Sequence, residues 1–334
     1  MNSTVQIAYY FTIAILSISF IILCLTLLFR CRKRTVESQE TPLPVKLSAQ
    51  AYPLTDIDVA TDGFNHRRVI GKGRLGTVYA AVLPRGDIVA VKRIHPSRVL
   101  CNAALGFSSM LKSLSLVQHP NLVSILGYSQ APGERIIISE FVGMMSLDYY
   151  LHEKDDGASL LDWSRRIRIA ARAARGLEYL HEGIAPNVVH GCLKASNILL
   201  DEKLCVKISD YGLSFLAHSE QKDLVGYVDD EYWIGSGIGA CKESDVYGFG
   251  VLLLELLTGR RTEDGLLVKW ALPLIKDMRI SELLDPRLVI PSYTKQIIRL
   301  AKVASACVSN SRKSRPTMVQ VAAILNNLED EVCV

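Results

Sequence analysis

The chain has 334 residues, of which 49% are apolar and 22% are charged, and its formal net charge is +4. This composition excludes a disordered or fibrous protein and allows a large folded unit with a substantial core. Four basic residues beside an apolar stretch account for the whole charge excess: Arg30, Arg32, Lys33 and Arg34. The remainder is near neutral, so a nucleic-acid partner is not indicated. The cysteines form no C-x-x-C pair, which argues against a zinc site or a disulfide framework.

Residues 7–29 form the first predicted element. They carry no charge, and as a helix rising about 1.5 Å per residue they would span a hydrocarbon core of about 30 Å. We interpret them as a transmembrane helix rather than a secretory signal peptide, because the apolar run is too long and no basic residue precedes it. The basic cluster after the helix predicts that residues 1–6 lie outside the cell and that the chain from Arg30 onward is cytoplasmic.

Residues 30–54 contain three prolines among polar residues and predict a short, stiff juxtamembrane linker. Cys31 within the basic cluster is either a palmitoylation site or part of an unmodified flank. Six outer residues are too few for a ligand-binding domain, so we expect an extracellular signal to arrive through another protein. The motif Thr55-Asp56-Ile57-Asp58 is similar to a capping box, and it predicts a helix and a folded domain over residues 55–334.

A glycine-rich hairpin comes next. Gly71, Gly73 and Gly76 would let the backbone approach phosphate groups, and Lys92 in the following V-A-V-K strand would supply a positive charge. A glycine pattern alone is a weak signal, but a second strand follows it here, whereas a dinucleotide-binding motif requires a helix. The hairpin and Lys92 together predict a phosphate-binding site.

Further motifs follow in order: His119-Pro120-Asn121-Leu122-Val123, Leu161-Asp162-Trp163, Val189-His190 through Asp201, Asp210-Tyr211-Gly212, Ser244-Asp245-Val246-Tyr247-Gly248-Phe249-Gly250 and Arg315-Pro316-Thr317-Met318. With them, residues 54–328 resemble the plant receptor-like kinase branch of the protein kinases. The resemblance implies an α+β, bilobal fold, with a sheet-rich small lobe at about 65–142 and a helical large lobe at about 143–330. The apolar run 251–257 is too short for a second membrane span and predicts a buried helix.

The same resemblance implies ATP with Mg or Mn as the cofactor. Lys92 matches the phosphate-pairing lysine, and Asn197 and Asp210 match the metal ligands. The implied nucleotide-binding positions are Ile70, Gly71, Gly73, Gly76, Val78, Ala90, Lys92 and Ser139, where small Ser139 leaves room behind the nucleotide. The implied structural positions are His190, Lys194, Glu231, Asp245 and Arg315.

The catalytic loop departs from the family pattern. The family has H-R-D-x-K-x-x-N, and this chain has His190-Gly-Cys-Leu-Lys-Ala-Ser-Asn197. Cys192 therefore occupies the position of the catalytic base, where a neutral thiol makes only weak hydrogen bonds. No Asp or Glu lies between Glu182 and Asp201 to replace it. Cys192 is either a reactive nucleophile or a small residue filling space, and the sequence favours the latter.

Two further positions are altered. Met110 stands where the family has the glutamate that pairs with the lysine, and residues 93–118 contain no acidic residue at all. We expect Met110 to make apolar packing contacts. Gly191 replaces the arginine that grips a phosphorylated activation segment, and that segment contains no Thr and offers Ser214 and Ser219 as its Ser/Thr hydroxyls.

The end of the activation segment reads V-D-D-E where the family has A-P-E. It keeps Glu231, which is expected to pair with Arg315, while the residues that would face a peptide substrate are changed.

These substitutions predict a membrane-anchored receptor-like pseudokinase that serves as a signalling adaptor or co-receptor subunit and binds ATP weakly or not at all. The alternative is a weak or atypical Ser/Thr kinase, so the sequence leaves open whether the chain is an enzyme. The resemblance implies receptor-like kinase partners, contacted through the transmembrane helix and the kinase-like domain, and a location in the plasma membrane of a plant cell.

Overall fold

The computed structural model describes residues 48–99, 106–143, 145–153, 161–216, 225–232, 239–262, 265–290 and 294–333. The predicted transmembrane helix 7–29, its outer flank, Cys31 and Ser219 lie outside these ranges. Within the described ranges, no helix is long and apolar enough to cross a membrane.

The strands are β1 (Gln50–Ala51), β2 (Val69–Lys72), β3 (Gly76–Val82), β4 (Ile88–Ile94), β5 (Ile125–Ala131), β6 (Glu134–Glu140), β7 (Ile198–Leu200) and β8 (Val206–Ile208). The helices are α1 (Leu54–Ala60), α2 (Pro96–Val99), α3 (Phe107–Leu114), α4 (Trp163–Glu178), α5 (Lys242–Thr258), α6 (Leu266–Lys276), α7 (Ile280–Leu283), α8 (Thr294–Cys307) and α9 (Met318–Cys333).

The small lobe is built on a six-stranded sheet in the order β1-β5-β6-β4-β3-β2. Alternation along β4 decides which side chains face which way, because successive residues of a strand point to opposite faces. Val89 and Val91 are buried in a core that includes Ile57 of α1. Ala90 and Lys92 therefore point to the opposite face of the sheet.

The folded unit begins earlier than residue 55, and the predicted boundary of the linker requires correction. β1 pairs in parallel with β5, and α1 begins at Leu54, so residues 50–54 belong to the small lobe. The predicted capping box is also wrong, because the residue before α1 is Pro53 and no side chain caps the helix. A two-residue strand carries too little pattern to be detected, and its partner lies 77 residues further along the chain.

The large lobe is helical and has its own extensive core. Asp162 accepts a hydrogen bond of 2.8 Å from the Arg165 N–H, which caps the start of α4. The apolar run in α5 is buried throughout, as predicted. The buried carboxylate of Glu255 accepts hydrogen bonds from the Tyr227 hydroxyl at 2.8 Å and from the Thr262 N–H at 3.2 Å, which lowers the cost of burying that charge.

Candidate nucleotide cleft and catalytic loop

The predicted nucleotide-binding residues lie together on β2, β3, β4 and β6. Strand pairing places Gly71 opposite Val78, and Val78 opposite Lys92, which forms one row across three strands. Ala90 lies opposite Ser139 in a second row. The sheet therefore brings these residues to one region.

The glycines of the hairpin have different roles. Gly73 and Gly76 exchange backbone hydrogen bonds of 3.0 and 3.2 Å, which close the turn between β2 and β3. A Cβ atom on Gly76 would lie 2.0 Å from the carbonyl oxygen of Arg93, whereas one on Gly73 would meet nothing within 4 Å. Gly76 is thus required for packing against β4. Ile70 on β2 is half-exposed.

Lys92 forms an ion pair with Asp210, its Nζ donating a hydrogen bond to the carboxylate. Asp210 follows β8 and has a φ of 63°, a left-handed conformation that aims its side chain at β4. Burial favours the protonated form of Asp210, but the charge and hydrogen bond of Lys92 outweigh it, so the pKa of this carboxyl lies below its usual value. The cleft therefore contains an ionised pair joining the small lobe to the large lobe.

Residues after Asp210 fix its position. The buried Tyr211 donates a hydrogen bond of 2.7 Å from its hydroxyl to the Val123 carbonyl oxygen. Gly212 has a φ of 69°, and a Cβ atom there would lie 2.7 Å from Leu114 of α3. Its N–H donates to the His190 carbonyl oxygen at 3.3 Å.

Asp245 of α5 organises the catalytic loop. Its carboxylate accepts hydrogen bonds from the N–H groups of His190 at 2.7 Å and Gly191 at 2.8 Å. The ring of His181 lies 2.9 Å from the same carboxylate. Asp245 thus fixes the loop backbone at His190 and Gly191, and these donors satisfy its carboxylate, since buried carboxylates need several donors.

The ring of His190 links the catalytic loop to the strand end. Burial lowers the pKa of His190, so its ring is neutral. In that form Nε2 donates to the Ser209 carbonyl oxygen at 3.0 Å, and Nδ1 accepts from the Cys192 N–H at 3.3 Å. The backbone at the base position is therefore held in place although its side chain is changed.

Cys192 is buried, with 8% of its surface exposed, and packs with Val228 and Tyr232. Burial raises the pKa of the Cys192 thiol, and the positive charges of Arg74 and Lys194 offset only part of that shift. A neutral, buried thiol fits the predicted space-filling role better than that of a nucleophile.

Arg74, at the tip of the glycine hairpin, reaches this part of the cleft. It affects the pKa values of both Cys192 and Tyr232, and its Nη1 is buried without a hydrogen-bond partner among the described residues. The sequence analysis did not identify Arg74. An arginine among loop glycines was the available signal, but nothing in the sequence fixes where its long side chain points.

Asn197 and Lys194 flank Cys192. The Asn197 Nδ2 donates to the Cys192 carbonyl oxygen at 3.3 Å, and the Asn197 N–H donates to the Lys194 carbonyl oxygen at 2.9 Å. The charge of Lys194 lowers the pKa values of Asp210 and Cys192, so it acts on both sides of the loop. The loop thus brings Lys194 and Asn197 together around Cys192.

Gly191 leaves no room for a larger residue. Its φ is 84°, and a Cβ atom would lie 2.7 Å from the Cβ of Ser214 and 3.1 Å from that of Ala240. An arginine at this position would require the start of the activation segment to move.

Met110 is not part of the buried face of α3. It lies on α3, but 41% of its surface is exposed, whereas Phe107, Leu111 and Leu114 of that helix are buried. These three residues follow the i, i+4, i+7 spacing of a helical stripe, and Met110 lies at its edge. Lys92 thus has Asp210 as its acidic partner, and α3 contributes no carboxylate.

Arg315 also has a different partner from the one predicted. It donates to Asp229, which is only 3% exposed, and Arg312 donates to the same carboxylate at 2.8 and 2.9 Å. Glu231 lies on the surface, 49% exposed and 3.8 Å from Arg312. Arg315 pairs with Asp229 instead of Glu231 because the 3₁₀ turn Asp230–Tyr232 follows Asp229 and places Glu231 on the surface.

A small cavity of about 40 Å³ lies beside the Lys92–Asp210 pair. The small side chain of Ser139 forms part of its wall. The residues that line the cavity are Lys92, Val123, Ile125, Ile137, Ser139, Ser209, Asp210, Tyr211 and Leu213. Its volume is far below the roughly 300 Å³ of a small-molecule site. The cleft in this conformation is therefore narrow beside the pair.

The donor chemistry of Asp210 and Asn197 fits a hard divalent cation, because an ionised carboxylate and an amide oxygen are ligands that Mg²⁺ accepts when phosphate oxygens complete its shell. No cluster of three or more His, Cys, Asp or Glu residues suited to a metal occurs in the described part of the chain. A metal would therefore be held jointly with a nucleotide.

A sheet-rich small lobe, a helical large lobe and a lysine–aspartate pair between them define a protein-kinase fold. The chain belongs to this family: the family model for protein tyrosine and serine/threonine kinases matches residues 64–325.

The relatives are plant receptor-like kinases. The chain is 36% identical to the leucine-rich repeat receptor protein kinase EMS1 of Arabidopsis thaliana, over 86% of this chain and 25% of that protein. It is 38% identical to phytosulfokine receptor 1 of the same plant, over 82% of this chain and 28% of that protein. The chain thus spans about a quarter of the length of these relatives.

Among solved structures, the pseudokinase domain of BIR2, described as an immune regulator of the RLK/Pelle family, superposes with a TM-score of 0.71. It is 33% identical and covers 86% of this chain and 91% of that domain. The same fold therefore occurs in a solved pseudokinase domain. The sequence relatives, in contrast, include a protein that is named a kinase.

Proposed function

We propose that the chain is a membrane-anchored receptor-like pseudokinase that acts as a signalling adaptor or co-receptor subunit. The observation that carries this proposal is the buried, neutral Cys192 at the base position. The nearby carboxylates are engaged elsewhere, since Asp210 pairs with Lys92 and Asp245 accepts from two backbone N–H groups. Among the described residues around Cys192, no carboxylate is thus placed to accept a substrate proton.

On this proposal the chain binds nucleotide weakly, and the bound nucleotide stabilises a conformation of the kinase domain. Lys92 would contact phosphate oxygens, and Asp210 and Asn197 would hold Mg²⁺ or Mn²⁺, which would neutralise phosphate charge when bound. Arg74 beside Cys192 and the narrow cavity near Ser139 oppose entry in the described conformation. The expected role of ATP is to stabilise the fold rather than to be consumed.

Membrane attachment and partners follow from the sequence and the relatives. Residues 7–29 would anchor the chain in the plasma membrane of a plant cell, with the N-terminus outside and the kinase domain in the cytoplasm. EMS1 and phytosulfokine receptor 1 are receptors by name, so receptor-like kinases are the proposed partners. Resistance of the full chain to alkaline carbonate extraction, lost when 7–29 are deleted, tests the anchor.

One alternative has specific support. The Lys92–Asp210 pair and Asn197 remain in place, and electrostatic positioning without a base leaves some residual rate in other enzymes. A weak or atypical Ser/Thr kinase would use these three residues.

A phosphotransfer assay separates the two functions. The full chain in lipid nanodiscs is incubated with radiolabelled ATP and Mg²⁺ or Mn²⁺, with and without a general protein substrate. We expect no transfer above that of a Lys92→Met control. Robust transfer that disappears in Lys92→Met would establish the kinase and reject the pseudokinase.

A repair experiment asks which substitution accounts for inactivity. Cys192→Asp restores the base position, and Met110→Glu restores an acidic residue on α3 at an exposed site that should tolerate it. We expect transfer only in the double variant, because the single variants each lack one required carboxylate. Activity in Cys192→Asp alone would show that the loss on α3 is irrelevant.

A further inference from the structure

The chain entering the small lobe is fastened to the end of α3. The Ala49 N–H donates a buried hydrogen bond of 2.8 Å to the Ser115 hydroxyl, which in turn donates 2.7 Å to the Lys112 carbonyl oxygen. Ser115 is fully buried. A single hydroxyl thus satisfies one carbonyl of the last turn of α3 and one N–H of the incoming chain.

The next residues continue this attachment, and residues 49–52 are called the strap. Gln50 and Ala51 pair with β5, and the Tyr52 N–H donates to the Tyr128 carbonyl oxygen at 2.9 Å. The Tyr52 ring covers Gly127, where a Cβ atom would lie 2.5 Å from it. A two-residue strand is too short to be stable by itself, so these contacts hold the strap in place.

The strap also acts on the beginning of α3. The ring of Tyr128 packs edge-on against that of Phe107, with 6.3 Å between centroids. Phe107 is the first residue of α3. The strap therefore contacts one end of the helix through Ser115 and the other end through β5.

The same buried face of α3 also contacts the cleft. Leu114 lies against Gly212, so close that a Cβ on Gly212 would be 2.7 Å from it. Gly212 is two residues after Asp210, the partner of Lys92. Because Met110 is exposed and α3 supplies no acidic residue to Lys92, packing sets the position of this eight-residue helix.

We propose that Ser115 is a positioning residue that couples the strap to the segment Asp210–Gly212 through α3. The strap leads back toward the predicted membrane anchor, so displacement of the linker would loosen α3 and then Gly212. We call this coupling from the strap through α3 to Asp210–Gly212 the relay. It rests on the proposed function only in that the membrane anchor would displace the strap. Because the relay needs neither ATP nor phosphotransfer, it can fail while the pseudokinase assignment stands.

Hydrogen exchange of the full chain in lipid nanodiscs tests the relay. Ser115→Ala leaves the buried Ala49 N–H unpaired, and we expect exchange to rise about tenfold at residues 108–114 and 211–213, with α5 unchanged. Ser115→Thr retains the hydroxyl and should restore protection. Ser113→Ala is the matched control, because the Ser113 hydroxyl is on the same helix but exposed.

A second variant approaches the relay from the strap. Ala49→Pro removes the N–H donor and fixes φ at residue 49, and Ser48→Pro is the control, which imposes the same backbone restriction at an exposed neighbour. The relay predicts faster exchange at 211–213 in Ala49→Pro and not in Ser48→Pro. Faster exchange confined to residues 49–52 would overturn it, as would an equal rise in α5 in Ser115→Ala, which would indicate global destabilisation.

Discussion

The Nζ of Lys92 on β4 donates to the carboxylate of Asp210 after β8, so the two lobes are joined by an ion pair that contains no residue of α3. Both side chains are largely shielded from water, and the positive charge keeps the pKa of Asp210 low against the effect of burial. The pair therefore stabilises the described arrangement of the cleft whether or not phosphate is transferred.

Removal of Lys92 should weaken the fold in a pH-dependent way. We expect Lys92→Met to lower the free energy of unfolding by about 2 kcal/mol at pH 7, because Asp210 loses a charged hydrogen-bond donor. Since the folded pKa of Asp210 is lowered, the pair contributes above the unfolded pKa of about 3.9 and its contribution is lost as the pH falls through the folded value. The difference between variant and wild type should shrink below about pH 4.

Thermal unfolding followed by tryptophan fluorescence from pH 7 to pH 3 measures this difference. Lys72→Met, at an exposed lysine of the glycine hairpin, is the control and should change little. A difference for Lys92→Met that stays constant down to pH 3 would rule out the Asp210 pair as its origin.

The thiol of Cys192 should react slowly with alkylating agents. Burial raises its pKa and shields it from solvent, whereas Cys205 is partly exposed and its sulfur lies 3.1 Å from Arg172 Nη1. We expect iodoacetamide at pH 8 to label Cys205 first and Cys192 at least about tenfold more slowly. Peptide mass spectrometry of timed samples gives both rates in one protein, and equal rates would contradict the buried, neutral thiol.

Local patterns predicted the part of the site that depends on local geometry. The glycine-rich pattern and the V-A-V-K segment predicted successive strands, and the structure has β2, β3 and β4 there, with Lys92 on β4. This prediction succeeds because strand period is a property of neighbouring residues.

The features that the sequence did not reveal depend on contacts between distant parts of the chain. Both Asp229 and Glu231 could pair with Arg315, and only the direction of the turn selects Asp229. Arg74 could point to solvent or into the cleft. The exposed edge position of Met110, in contrast, was available from the helical spacing of its neighbours.

A side chain at Gly191 should lower the free energy of unfolding by more than backbone strain alone would. Gly191→Ala combines a φ of 84° with a 2.7 Å approach to Ser214, whereas Gly86→Ala has a similar φ of 90° and open space. We expect Gly86→Ala to cost about 1 kcal/mol, from left-handed strain alone. Gly191→Ala should cost about 3 kcal/mol, because overpacking adds to that strain.

Urea unfolding of both glycine variants gives the comparison directly. Equal losses would mean that the activation segment moves aside freely, and an arginine at Gly191 would then be tolerated.

Asp229 should be far more important for stability than Glu231. Its carboxylate is buried and accepts from both Arg312 and Arg315, so Asp229→Ala would leave the buried Arg315 guanidinium without its counterion. Loss of one partner of a buried pair costs about 3–5 kcal/mol. Glu231→Ala removes a half-exposed carboxylate and should cost less than about 1 kcal/mol.

The same pairing predicts how the stability of the wild type depends on pH. Burial would raise the pKa of Asp229, but hydrogen bonds and charge from Arg312 and Arg315 prevail, and the pKa is lowered. Its stabilisation is therefore present above about pH 4 and is lost as the pH falls further. Unfolding midpoints at pH 7 and pH 3 should differ less for Asp229→Ala than for wild type or Glu231→Ala. A larger loss in Glu231→Ala than in Asp229→Ala would instead favour the pairing of Glu231 with Arg315 that the sequence predicted.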